Sequence, residues 1–119
     1  MANKPDTNQL LEKLTQNENA KERLEKKQRL WESYKEELNY LHRQEQEALD
    51  EVAHFSKGTV SYKNATHQLE DFLEEGREIK NLSLEIEDTF EQEKKTLIEE
   101  EDRLTEAYYK SKSEEESNG

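Results

Sequence analysis

Phe55-Ser56-Lys57-Gly58-Thr59-Val60-Ser61-Tyr62 is the one polar, glycine-containing interruption between two long runs of apolar residues spaced three and four apart. The run before it steps through Leu24, Trp31, Tyr34, Leu38, Leu41, Ala48, Val52 and Phe55. The run after it steps through Tyr62, Ala65, Leu69, Phe72, Gly76, Ile79, Ile86, Phe90, Leu97, Leu104 and Ala107. A seam recurring every seven residues keeps two supercoiling helices face to face. Two such seams joined by a short turn predict an all-α, coiled-coil-like antiparallel helical hairpin. Gly58 suits the left-handed conformation that ends a helix, and Thr59 or Ser61 suits the cap of the next.

Outward from the turn, the first helix is expected over about residues 8–55. Asp6 or Thr7 would cap it, and Leu10, Leu11 and Leu14 would be its first apolar contacts. Residues 1–7 read as a disordered lead-in. The turn spans about 56–61 and the second helix about 62–109. The tail, residues 110–119, carries no seam and reads as disordered and acidic. Among the three glycines and the single proline, only Gly76 falls inside a helix.

A register follows if Phe55 faces Tyr62: facing positions then total about 117. Leu41 would face Gly76, Tyr34 Ser83, Trp31 Ile86, Ala48 Leu69 and Leu38 Ile79. Large residues would oppose small ones, as a two-helix seam requires. The same register sets the basic stretch Lys21, Arg23, Lys26, Lys27, Arg29 against acidic Glu85, Glu87, Asp88, Glu91, Glu93. Leu73, Leu82, Leu84, Ile98 and Tyr108 lie off the strict seam. Clustered apolar residues outside a seam mark a further helix–helix contact. A larger helical bundle, with a partner or with a second copy as a homodimer, is therefore expected.

Only 29% of the 119 residues are apolar and 40% are charged. That is too little for a sizeable globular core but enough for a thin seam. The net charge of −12 argues against nucleic acid and anionic membranes as partners. It is uneven: residues 1–57 carry −2 and residues 58–119 carry −10. Cysteine is absent, which removes disulfides and thiolate metal sites. No stretch approaches a membrane span, and the polar start Met1-Ala2-Asn3-Lys4-Pro5-Asp6 lacks a signal-peptide hydrophobic region. A cytoplasmic location is the expectation, with co-secretion by a signal-less route left open.

Catalytic and metal chemistry finds little footing. His42, His54 and His67 include no pair at the spacing that converges two imidazoles on one helix face. The single Glu-x-x-His, Glu51-Val52-Ala53-His54, has no second copy, so no bi-metal carboxylate site is expected. Carboxylate runs such as Glu74-Glu75 and Glu99-Glu100-Glu101-Asp102 read as solvated helix faces, because carboxylate catalysis needs burial to part its pKa values. The expectation is no enzyme, no cofactor and no metal. Leu73, Leu82, Leu84 and Ile98 are the candidate partner face. Tyr108 and Tyr109 are a candidate docking element at the end of the second helix, equally readable as a cap to the core.

A cysteine-free, acidic hairpin of this size resembles the WXG-type small helical proteins of bacterial type VII secretion. More closely it resembles the small helical accessory proteins that accompany LXG-family toxins. Where the family's break carries Trp-x-Gly, Phe55-Ser56-Lys57-Gly58 has an aromatic and a glycine at different spacing. The family's Tyr-x-x-x-Asp/Glu signal is replaced: Tyr108 is followed four later by Lys112, and Tyr109 by Ser113. The resemblance implies an adaptor or targeting chaperone that binds an elongated helical toxin domain and completes an export signal with it. The alternative is a homo-oligomeric coiled-coil scaffold or prefoldin-like holdase.

Overall fold

A computed structural model describes residues 6–118. The chain is all-α, a hairpin of two long helices: α1, Thr7–Phe55, and α2, Tyr62–Asn118. Asp6 caps α1 through a reciprocal pair of bonds. The Gln9 backbone N–H donates to Asp6 Oδ1 at 2.7 Å, and the Asp6 N–H donates to Gln9 Oε1 at 3.1 Å. At the other end Gly58, with φ of 80°, takes the left-handed conformation that stops the helix. The Thr59 hydroxyl then donates to the Ser56 carbonyl at 2.6 Å and accepts the Ser61 N–H at 3.3 Å. The Ala65 N–H donates to the Ser61 carbonyl, placing Ser61 at the start of α2. The expected turn, residues 56–61, is where the structure has it.

The chain divides into two compact units, Met1–Gln28 with Thr89–Gly119, and Arg29–Asp88. In the terminal unit, Leu10, Asn17 and Leu24 recur every seven residues and are buried, as is Leu104 on α2. The Asn17 amide donates to the Leu97 carbonyl at 3.0 Å. Lys21 pairs with Glu101, and that hydrogen bond raises the lysine pKa above its ordinary 10.5 against the opposing effect of burial. Lys21 therefore finds its acidic partner at Glu101, further along α2 than the Glu85–Glu93 stretch expected for it.

At the chain ends the structure corrects the expected boundaries. α2 does not stop at Tyr109 but continues through Asn118. The cause is polar: Thr7 Oγ1 lies 2.9 Å from Ser111 Oγ and donates to Glu115 at 2.5 Å. Glu and Lys are also good helix formers, so a tail without a seam still propagates the helix. Of the expected disordered lead-in, residues 1–5 lie outside the described residues, and Asp6 and Thr7 belong to the capped start of α1.

Candidate partner-binding surface

The Arg29–Asp88 unit carries the surface of interest because its seam is not the apolar one expected. His42, not Leu41, lies on Gly76: a Cβ built at Gly76 would collide with the His42 imidazole. The same imidazole stacks on Phe72, ring centroids 4.4 Å apart and planes 20° from parallel. Lys35, not Tyr34, reaches across to Glu87 at 2.5 Å. Trp31 and Leu38 stay half-buried, but nearer the turn Leu49, Ala53 and Ser56 are half-buried in place of Ala48, Val52 and Phe55. His42 opposite Gly76 and Thr7 opposite Ser111 both total 118, so the register is close to that expected. The correction is rotational: α1 presents the positions one residue further on. A glycine leaves a hole that a flat ring fills, and Glu87 offers Lys35 a charge partner, so polar side chains hold this seam.

The consequence is an uncovered apolar stripe. Tyr34, Leu41, Val52 and Phe55 are 54–80% exposed, and Leu30, one turn before Tyr34, is 72% exposed. Within the unit the seam meanwhile holds Trp31 Nε1, His42 Nε2 and Ser83 Oγ buried with no hydrogen-bond partner among the described residues. Sequence reasoning missed Leu30 and assigned the other four to the core. The signal that was available is the unbroken three–four alternation Leu30, Tyr34, Glu37, Leu41, Gln44, Ala48, Glu51, Phe55. It runs beside the seam and never enters it.

The four residues expected to form a partner face do not gather on one surface. Leu73 is half-buried. Leu82 and Leu84 are 56% and 53% exposed, but two residues apart on a helix they project to nearly opposite sides. Ile98, 44% exposed, belongs to the terminal unit. Tyr108 and Tyr109 meet edge to face at 5.6 Å, with Lys112 Nζ 5.9 Å from the Tyr108 ring centre. Tyr109 is 65% exposed, and the pair sits within α2 rather than at its end. At the turn, Phe55 is 80% exposed and meets His54 edge to face.

The histidines are dispersed: His42 in the seam, His54 against Phe55, and His67 with Nδ1 3.6 Å from Glu70. Among the described residues no three His, Asp or Glu side chains converge to hold a metal ion. No described helix is long and apolar enough to cross a membrane. No family model matches the chain, and no curated protein or solved structure matches it.

Proposed function

We propose that this chain is a non-enzymatic adaptor that lays the apolar stripe of α1 against a helical domain of a secreted protein. The observation that carries the reading is the stripe itself: Tyr34, Leu41, Val52 and Phe55 stay exposed while polar groups hold the hairpin seam beside them. Apolar residues at heptad spacing that their own hairpin leaves uncovered are what a partner helix requires. The resemblance to accessory proteins of LXG toxins gives the partner its class, an elongated helical toxin domain. On that reading the adaptor works in the cytoplasm, takes no cofactor and helps present its cargo to the type VII secretion machinery. Tyr108-Tyr109, beside Lys112, is the proposed contact to that machinery.

The test is co-expression with the helical domain of an LXG-type toxin. Wild type should co-purify in fixed stoichiometry, and Tyr34→Glu with Leu41→Glu should abolish co-purification while helicity persists. A chain that alone forms a monodisperse dimer, dissociated by the same substitutions, would instead be a homo-oligomeric scaffold.

A further inference from the structure

The apolar stripe has a chemically biased border, and that border selects the kind of helix it takes. Lys35, Asn39 and His42 of α1 line one groove of the Arg29–Asp88 unit together with Lys80, Leu84 and Glu87 of α2. Residues two apart project to opposite sides of a helix. Leu41, two from Asn39, and Leu82, two from Leu84, therefore share the other edge of the helix pair. That second edge carries the exposed apolar line: Leu30, Tyr34, Leu41 and Phe55 from α1 and Leu82 from α2, all more than half exposed.

The charges on this edge are of one sign. Glu37 and Glu51 fall within the three–four alternation on α1. Asp71, Glu75 and Glu78 fall at the matching positions of α2, stepping towards Leu82 at spacings of four, three and four. All five are exposed. The cations of the unit lie elsewhere. Lys35 and Lys80 line the opposite groove, with Lys35 paired to Glu87. Lys63 and Arg77 stand at seven-residue multiples from Leu84, on that same opposite edge, where Arg77 pairs with Glu74 at 2.5 Å. Arg43 is two residues from Leu41 and so behind it, Arg29 is two heptads from Arg43, and Lys57 is in the turn.

We infer that the occupant of this edge is a single amphipathic helix whose apolar heptad is flanked by lysine or arginine, not a second copy of this chain. An apolar line between acidic borders is completed by an apolar line between basic ones, as charges beside a coiled-coil seam set partner choice. A second copy would bring the same acidic borders into register with these, within a chain whose net charge is −12. The inference rests on the adaptor reading and adds the chemistry of the partner to it.

Two synthetic peptides of about four heptads test it, with identical Leu and Ile at the seam positions and either Lys or Glu at the flanking positions. Binding to the full chain is measured by calorimetry at about 50 and 500 mM salt, where screening differs several-fold in range. The expected result is that the Lys peptide binds at least about tenfold tighter than the Glu peptide, with the gap closing at high salt. Glu75→Lys with Glu78→Lys, exposed changes that leave the apolar line intact, should erase the discrimination. Leu41→Gln should remove binding of both peptides.

Equal binding of the two peptides, lost in Leu41→Gln, overturns the basic-partner inference and leaves the adaptor reading standing. Lys-peptide binding indifferent to both sets of substitutions also overturns the inference, because the contact would then lie elsewhere on the acidic surface. A dimer in sedimentation that Leu41→Gln converts to monomer makes the occupant a second copy and overturns both. Absence of binding by either peptide also counts against both.

Discussion

Gly76→Ala separates two opposing effects whose sum depends on His42. In an exposed helix interior, glycine to alanine stabilises by about 1 kcal/mol through backbone entropy. Here the new Cβ would collide with the His42 imidazole at its Nε2 and Cε1 atoms. The ring must then leave Phe72, on which it stacks at 4.4 Å. Overpacking costs about 1–3 kcal/mol, and a lost ring–ring contact about 0.5–1.5 kcal/mol. The two costs are alternatives, since a ring that leaves relieves the crowding, so Gly76→Ala should forfeit the propensity gain and destabilise by up to about 2 kcal/mol, lowering the melting temperature by no more than several degrees. In a His42→Ala background the collision partner is gone, and the same substitution should stabilise by about 1 kcal/mol. Thermal and urea unfolding of the four proteins, followed by far-ultraviolet circular dichroism, gives the coupling energy directly. If Gly76→Ala stabilises wild type by its full propensity and the coupling is near zero, His42 does not pack on Gly76 and the rotated seam is wrong.

Four further outcomes follow from the same geometry. Asn17→Leu removes a buried amide that reaches the Leu97 carbonyl with its Oδ1 unpaired, so it should raise the melting temperature yet multiply amide peaks in NMR spectra as the register loosens. Leu41→Glu, at a position 54% exposed, should shift stability by no more than about 0.5 kcal/mol in urea unfolding. Leu24→Asp, at 6% exposure, should cost several-fold more, roughly 3 kcal/mol or above. For Lys21, whose folded pKa is raised, the stabilisation is fully present below the ordinary value of 10.5 and disappears as pH climbs through the raised value. The stability difference between wild type and Lys21→Met should therefore persist through neutral pH and close only at strongly alkaline pH.

The hairpin was legible because its turn is chemically marked. Gly58, the one glycine between the two long seams, fixes where α1 must end, and the observed bounds at Phe55 and Tyr62 follow. Gly76 also read correctly as a seam position that a large residue fills. What sequence periodicity could not give is which neighbour covers a stripe. It locates apolar surface around a helix, and assigning that surface to the nearest helix of the same chain assumes that no other helix is needed. On α1 the assignment is off by one residue: the polar His42 and Lys35 take the seam, because Phe72 with Gly76 and Glu87 each offer them a specific partner. The end of α2 was lost for a related reason. Ser111 and Glu115 have no apolar signature, and only the cross-hairpin contact with Thr7 reveals their place.

A seam held by polar groups and an apolar line left outside it make sense together. Polar side chains hold the register by pairing and shape, as His42 does over Gly76 and Lys35 with Glu87, rather than by apolar burial alone. Trp31 Nε1, His42 Nε2 and Ser83 Oγ sit in this seam with no hydrogen-bond partner among the described residues, so these polar atoms do not add pairing energy to it. Had Tyr34 and Leu41 filled it instead, the hairpin would bury more apolar area at about 25 cal/mol per Å², but no line would remain for anything else. Because the hairpin keeps its register without those residues, a partner helix can occupy them without α1 and α2 first coming apart. Binding then need not be preceded by local unfolding, and the association rate should be set by encounter and charge, which is where the acidic borders of the stripe act.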